Sequence, residues 1–311
     1  MRPIVASLAR RSAAAAASAP RLACLLVLAG ALGGCAWLDE RQRALALRPS
    51  PASAEQAQAA ATSFRPGDRR YTLPATAEPT EQVAIWWLPQ PDPQAPALLY
   101  LHGTFRNLYW NRPKIDALRA AGFAVLAVDY RGWGDSAARV PSEATINADA
   151  ALAWAELRRL QPDPQRRFIF GHSMGGAVAV TLASDLKWRQ DYAALVLEST
   201  FTRLPDVARS AGFWGRLAAS VTTLEFDSLS RIGRIDAPLL MLHGSADRTV
   251  PVELGRRLRD AAPAGVRWVE IAGGTHSRLH SEAPEIYQQA LHDIMQSTKS
   301  RPDTPTRSTS P

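Results

Sequence analysis

Short, continuous apolar runs alternate with helix-like segments over most of this chain, and this alternation limits the fold more than any other feature. Such runs include ALLYLHG (97–103), FAVLAVDY (123–130) and APLLMLHG (237–244). Strands that are apolar on both faces occur in parallel sheets covered by helices on each side. The sequence therefore predicts an α/β fold with a mostly parallel central sheet. Because ligands of such sheets bind at the carboxyl ends of the strands, we expect the chemistry there.

The segment FIFGHSMGGAVAV (168–180) joins an apolar strand to a helix of small residues through almost no loop. A turn this sharp forces its central residue, Ser173, into a strained backbone conformation. Gly171 and Gly175 flank the turn because larger side chains would clash there. The serine hydroxyl then projects from the sheet at the positive end of the following helix. This G-x-S-x-G pattern predicts a nucleophile elbow.

Four motifs in this order resemble those of the α/β-hydrolase superfamily over roughly residues 70–296. They are LLYLHGTFRN, VLAVDYRGWGDS, the elbow, and PLLMLHGSADRTVP followed by GGTH. The stretch LESTFT after the elbow is similar to the serine-aminopeptidase-like branch and to membrane-associated lipid or thioester hydrolases. The resemblance implies an α/β-hydrolase fold, with residues 201–237 forming a short helical cap over the site.

Serine needs an adjacent base, commonly a histidine held by a carboxylate. His276 follows the run VRWVEIAGG in a small-residue loop that can reach the elbow, so it is the predicted base. Asp247 follows APLLMLHG and fits the family order Ser…Asp…His, and Glu198, at the end of the run ALVLE, is the rival carboxylate. Other histidines fit the base less well, namely His172, His280 and His292.

Acyl transfer also needs two backbone N–H groups that stabilise the oxyanion of the tetrahedral intermediate. Met174, directly after the nucleophile, supplies one predicted donor, and Thr104, after a His-Gly pair, supplies the other. Gly103 lets the backbone approach the substrate, and His102 is expected to brace the loop.

The resulting hypothesis is a serine hydrolase that cleaves carboxylic esters or thioesters of a small or lipid-like acyl substrate through an acyl-enzyme. An amidase or aminopeptidase remains an alternative within the same mechanism. A binding scaffold without activity would be expected to lack a triad member, and haloalkane or epoxide hydrolases need an aspartate where Ser173 stands. Aromatic residues of the cap could line an acyl groove or simply pack the cap: Phe213, Trp214 and Phe226.

The first 34 residues carry four arginines and no acid, followed by the apolar run LACLLVLAGAL. This order is typical of a signal peptide, and the run is shorter than the about 20 residues of a membrane span. LGGC, ending at Cys35, resembles the lipobox of bacterial lipoproteins, in which the cysteine carries acyl chains such as palmitate. The resemblance implies a lipid anchor in the bacterial envelope, and Ala36 resembles a signal for the outer membrane with the domain facing the periplasm. A plain signal peptide or an uncleaved anchor is the alternative.

The predicted organisation is a signal peptide over residues 1–34, a flexible tether over 35–66, the hydrolase domain over 67–296 and a disordered tail over 297–311. The net charge of +7 falls to +3 without the first 34 residues, and no basic stripe suggests nucleic-acid binding. Both cysteines precede the domain, which excludes a disulfide or thiolate metal site within it. The histidines lack metal-ligand spacing, so neither metal nor cofactor is expected. Oligomeric state stays open.

Overall fold

A computed structural model describes residues 36–299 of the chain. Within this part the chain divides into two units, with the boundary between Ala46 and Leu47. The described part of the first unit is helical, and Asp39 and Arg43 form an ion pair of 2.8 Å one turn apart. The predicted signal peptide, Cys35 and residues 300–311 of the predicted tail lie outside the described residues.

The second unit is built on one eight-stranded sheet. In chain order its strands are β1 (Arg69–Pro74), β2 (Gln82–Leu88), β3 (Ala97–Leu101), β4 (Ala124–Asp129), β5 (Arg167–His172), β6 (Ala194–Glu198), β7 (Leu239–Gly244) and β8 (Arg267–Ile271). Their order across the sheet is β1-β2-β4-β3-β5-β6-β7-β8. Strand β2 is antiparallel to both neighbours, whereas β3 to β8 all run parallel. The predicted α/β fold with a mostly parallel sheet is confirmed.

Helices cover both faces of the sheet. They are α1 (Ala54–Ala61), α2 (Leu108–Ala120), α3 (Glu143–Leu160), α4 (Met174–Ser184), α5 (Leu204–Ser210), α6 (Gly212–Val221), α7 (Val252–Ala261), α8 (Leu279–Glu282) and α9 (Pro284–Lys299). Buried residues of α3, α4 and α7 form the core on one face, and those of α2 and α9 form the core on the other. Helices α5 and α6 lie in the insertion between β6 and β7, where the sequence predicts the cap.

The central strands are apolar along their whole length because both of their faces are buried. In β3, Leu99 and Leu101 enter one core, while Leu98 and Tyr100 enter the other. Successive side chains of a strand point to opposite faces, so no position of β3 reaches water. Each fully buried Leu contributes about 1.5–3 kcal/mol through the hydrophobic effect.

Residues 47–66 pack against the body of the domain. The sequence places this stretch in a flexible tether and starts the domain at residue 67, whereas Leu47 is fully buried in the core. Phe64 packs edge-to-face on Trp86 at 5.0 Å between ring centroids. Ser53 caps α1 through a capping box with Gln56. The compact unit therefore begins at Leu47. Within residues 36–299, no helix is long and apolar enough to cross a membrane.

Candidate active site

Ser173 sits in the bend between β5 and α4 with φ 55° and ψ −121°. This conformation is sparsely populated for residues other than glycine, and it carries the strain that the motif predicts. A Cβ built on Gly171 would overlap the Gly175 carbonyl oxygen, and one built on Gly175 would overlap that of Leu101. Both glycines are therefore required for the close approach of β3, β5 and α4.

Two hydrogen bonds fix the backbone of the nucleophile. The Ser173 N–H donates to the Glu198 carbonyl at 2.9 Å, which continues the pairing of β5 with β6. The Thr200 hydroxyl donates to the Ser173 carbonyl at 2.9 Å. Hydrogen bonds thus hold both the N–H and the carbonyl of Ser173. A strained backbone conformation persists only where surrounding contacts fix it in this way.

The structure brings together the three residues predicted as a triad. His276 Nε2 lies 3.0 Å from Ser173 Oγ, and His276 Nδ1 lies 2.7 Å from Asp247 Oδ2. A carboxylate only accepts, so Nδ1–H donates to Asp247 and Nε2 is left to accept the serine proton. This arrangement can activate the hydroxyl for attack on a carbonyl carbon.

Asp247 is buried and surrounded by donors. Its Oδ1 accepts the N–H groups of Thr249 and Val250, each at 2.8 Å. Its Oδ2 also lies 3.4 Å from His243 Nε2. Burial alone would raise the pKa of Asp247, but hydrogen bonds from His243 and His276 outweigh it and hold that pKa well below its usual range. The carboxylate therefore stays ionised beside the base.

Glu198, the rival carboxylate, is fully buried and otherwise engaged. One oxygen forms an ion pair with Lys114, and the other accepts the Tyr287 hydroxyl at 2.8 Å. Burial lowers the pKa of Lys114, although the charge of Glu198 opposes this shift. Since both oxygens have partners away from His276, Asp247 is the carboxylate that the geometry assigns to the triad.

The two predicted oxyanion donors flank the elbow. Met174 is the first residue of α4, so its N–H has no acceptor within the helix. Gly103 approaches the elbow so closely that an added Cβ would lie 3.0 Å from Ser173 Cβ. Thr104 follows directly, and Phe105 after it adopts a left-handed φ of 73°. Both donors stay predictions, now placed beside the nucleophile.

His102 supports the loop that contains Gly103 and Thr104, as the sequence predicts. Its Nδ1–H donates to the Gly103 carbonyl at 2.6 Å, and its Nε2 lies 3.4 Å from Asp129 Oδ1. Burial lowers the pKa of His102 to about 4 and raises the pKa of Asp129 well above its usual range. In both groups the cause is the same, because burial disfavours the charged form.

His172 contacts the backbone of the base, which sequence reasoning missed. Its Nε2–H donates to the His276 carbonyl at 3.0 Å, and the two ring centroids lie 5.0 Å apart. Burial, with the nearby positive charge of Lys114, holds the pKa of His172 well below its usual range. A neutral ring at this position ties the loop of His276 to the elbow. The signal available in the sequence was its position at a strand end beside Ser173.

The remaining predicted features occupy different environments. Phe226 is buried in the core, so it packs the insertion onto the body, whereas Phe213 of α6 is exposed. The side chain of Trp214 lies outside the described part of the structure. Among residues 36–299, no group of three or more His, Cys, Asp or Glu side chains is arranged to hold a metal.

Comparisons with known proteins place this chain among hydrolases. Residues 92–231 match the family model described as serine aminopeptidase, S33. The chain is 34% identical over 210 residues to lysophosphatidylserine lipase ABHD12 of Danio rerio, a match that covers 62% of this chain and 54% of the lipase. It therefore spans about half the length of that relative. It is 36% identical over 194 residues to an uncharacterized protein of Mycobacterium tuberculosis, which covers 62% of this chain and 67% of that protein.

Solved structures of other proteins have a fold similar to that of this chain. An esterase from Pyrococcus furiosus superposes with a TM-score of 0.63 at 20% identity, over 76% of this chain and 92% of the esterase. An acylaminoacyl peptidase from Pyrococcus horikoshii gives a TM-score of 0.58 at 17% identity, over 75% of this chain and 41% of the peptidase. Likeness at this identity concerns the fold alone. With the sequence matches and the elbow, it leads to one conclusion: the chain belongs to the α/β-hydrolase superfamily.

Proposed function

We propose that this protein hydrolyses carboxylic esters or thioesters of lipid-like acyl substrates through an acyl-enzyme at Ser173. The single observation that carries the proposal is the pair of contacts made by His276, 3.0 Å to Ser173 Oγ and 2.7 Å to Asp247 Oδ2. These are the distances that a general base needs to its nucleophile and to the carboxylate that orients it.

In the proposed acylation step, Ser173 Oγ attacks the substrate carbonyl carbon while His276 Nε2 accepts the hydroxyl proton. The tetrahedral oxyanion is stabilised by the N–H groups of Met174 and Thr104. Collapse of this intermediate breaks the bond to the alcohol or thiol, and His276 returns its proton to that leaving group. Each donor of such an oxyanion hole supplies a factor of about 10²–10³ in kcat.

Deacylation repeats the steps with water as nucleophile. His276 accepts a proton from water, the hydroxide attacks the acyl carbonyl, and the released Ser173 Oγ takes the proton back. The ionised Asp247 stabilises the imidazolium in both halves of the cycle. The products are a carboxylic acid and the alcohol or thiol.

Two observations support a lipid-like acyl group. Relatives of this chain are named lysophosphatidylserine lipase, and a fold neighbour is an esterase. The cap insertion starts just after β6, at the end of the sheet that carries Ser173. Its helix α6 exposes Phe213 and Leu217, which lie one turn apart on the helix surface. We propose that this insertion covers the site, where its exposed apolar side chains would favour apolar substrate groups.

We further propose that Cys35 carries a lipid anchor in the bacterial envelope, with the domain facing the periplasm from the outer membrane. The LGGC segment and the preceding apolar run support this proposal. Replacing Cys35 with serine should release the protein from the membrane fraction. Continued retention of the Cys35→Ser variant in membranes would contradict the anchor.

A fluorophosphonate probe tests the proposed nucleophile. Wild-type protein should be labelled covalently, and Ser173→Ala should lose labelling while keeping its unfolding midpoint. Absence of labelling in folded wild type would instead favour a scaffold without activity.

A panel of oxygen esters, thioesters and amides with one shared acyl chain then ranks the bond types. The serine aminopeptidase description of the matching family model keeps amide cleavage as the second candidate. Faster turnover of the amide than of the ester would replace the proposed function with that candidate.

A further inference from the structure

Residues 47–53, here named the N-terminal strap, lie across loops that support Ser173. Leu47 is fully buried in the core and fixes one end of the strap. At the other end, Pro51 forms a strand-like bridge to Gly134: the Gly134 N–H donates to the Ser50 carbonyl at 2.9 Å, and the Ala52 N–H donates to the Gly134 carbonyl at 2.9 Å. The strap is therefore an ordered part of the domain.

The strap also contacts the loop that carries the proposed oxyanion donor Thr104. The Arg48 guanidinium lies over the Phe105 ring, 4.8 Å from its centroid. The Asn107 side-chain amide donates to the Ser50 carbonyl at 3.2 Å. Asn107 is fully buried, and its Oδ1 caps the start of α2 by accepting the Trp110 N–H. The part of the loop that follows Thr104 is thus fastened to the strap at Phe105 and at Asn107.

This loop needs external support because its own backbone is strained. Phe105 has a φ of 73°, and Arg48 opposite it has a φ of 47°. Left-handed conformations of such residues persist only where surrounding contacts over-determine them. Thr104 lies between Gly103, which touches the elbow, and the strained Phe105. A shift of this turn would move the Thr104 N–H away from the position of the oxyanion.

The strap reaches the same loop by a second route. The bridge of Pro51 to Gly134 holds the loop that follows β4, and a Cβ built on Gly132 of that loop would lie 3.2 Å from Pro49 Cβ. From this second loop the Tyr130 hydroxyl donates to the His102 carbonyl at 3.4 Å. The two routes therefore reach the loop on either side of Thr104, one at Phe105 and Asn107 and the other at the His102–Gly103 peptide.

We propose that the N-terminal strap is a positioning element of the active site, which holds the Thr104 N–H in place for the oxyanion. The inference rests on the proposed function, since this N–H matters only if acyl transfer occurs at Ser173. The segment that connects the domain to the region of Cys35 would then serve turnover itself. Removing it with the leader would damage catalysis even on a water-soluble ester.

Point variants in the full chain test the proposal. Arg48→Ala removes the contact with Phe105 at an exposed position. Arg189→Ala is its matched control, because Arg189 has a similar φ of 62° and lies 4.7 Å over the Trp188 ring, outside the strap. Leu47→Ala loosens the buried end, and Leu258→Ala is its control, since Leu258 is equally buried in the same core but belongs to α7.

The measurements are kcat, KM, the unfolding midpoint and the Ki of a trifluoromethyl ketone. Ser173 Oγ adds to the ketone carbonyl of this inhibitor, and the hemiketal oxyanion that forms lies where the tetrahedral intermediate has its own. We expect Arg48→Ala to lower kcat about threefold to tenfold and Leu47→Ala about tenfold or more, with KM unchanged. The Ki should rise by the same factor as kcat falls, and both controls should keep wild-type kcat and Ki.

Two outcomes would overturn different claims. If wild type is active and the strap variants match their controls in kcat and Ki, with only the unfolding midpoint reduced, the strap is a packing segment and the inference is wrong. If wild type neither hydrolyses any ester nor reacts with the fluorophosphonate, the proposed function itself fails.

Discussion

Replacing Asp247 with asparagine gives the sharpest test of the triad, because the structure predicts how the new amide would orient. The N–H groups of Thr249 and Val250 both point at Oδ1 at 2.8 Å, so the amide oxygen would stay there. The amide NH₂ would then face His276 Nδ1, at the position of Oδ2. An NH₂ group donates, so the imidazole would have to accept at Nδ1 and carry its proton on Nε2.

That tautomer cannot accept the proton of Ser173 at 3.0 Å. The same change in a Ser-His-Asp triad lowers kcat by about 10⁴, which corresponds to about 5.4 kcal/mol of transition-state stabilisation. We expect a loss of this size in kcat for Asp247→Asn. KM should change little, because Asp247 is buried behind His276 and does not face the substrate.

The assay is release of p-nitrophenol from a soluble acyl ester by the full chain, with the fluorophosphonate labelling rate as a second measure. Glu198→Gln is the control for the rival carboxylate. It should lower the free energy of unfolding, since it leaves Lys114 buried without its ion pair, but the folded fraction should keep most of its activity. A loss below tenfold for Asp247→Asn, with a loss above 10³ for folded Glu198→Gln, would refute the assignment.

Three further predictions concern His172, Gly175 and the titration of Asp247. His172→Phe should lower kcat about 10–100-fold at similar KM. His172→Gln should keep part of the lost activity, since an amide N–H can donate to the His276 carbonyl. Equal kcat values for the two variants would argue against a role for this hydrogen bond. Gly175→Ala should lower the free energy of unfolding by about 3 kcal/mol, because its Cβ would overlap the Leu101 carbonyl. The unfolding midpoint, measured by calorimetry, should fall by about 6–12 °C. An unchanged midpoint would contradict the overlap. The pKa of Asp247 is lower in the folded than in the unfolded state. Its contribution to stability should therefore be complete above the unfolded pKa of about 3.9, and it should disappear as the pH falls toward the folded-state pKa. The free energies of unfolding of wild type and Asp247→Asn, measured with urea, should converge in acid.

The parts of the fold that the sequence predicts are those fixed by local pattern. A continuous apolar strand, a Gly-flanked serine and a small-residue helix are adjacent in the chain, so residues 168–180 contain the whole elbow. The parallel sheet follows from the same pattern, because strands apolar on both faces leave few alternatives. His276 and Asp247 were identifiable because each follows an apolar strand in the order that the family shares.

Features that depend on distant partners were not predictable in this way. Glu198 resembles a triad acid until its partner Lys114, 84 residues earlier in the chain, is seen beside it. Residues 47–66 have the composition of a tether, since Ala, Gln, Ser and Pro dominate. Only tertiary contacts reveal that Leu47 enters the core, because Leu47 and Phe64 stand far apart in this stretch and give no periodic signal.

The tight bend at Ser173 also limits how this protein could acquire a new specificity. An extra carbon atom has no room at Gly171 or Gly175, and at Gly176 it would overlap the Thr200 side chain. The bend has two other residues besides Ser173 and the glycines. His172 donates a hydrogen bond to the loop that holds His276, and Met174 is buried in the core. We therefore expect a change of acyl specificity to need substitutions outside the bend, for example in residues 201–237, which we propose to cover the site.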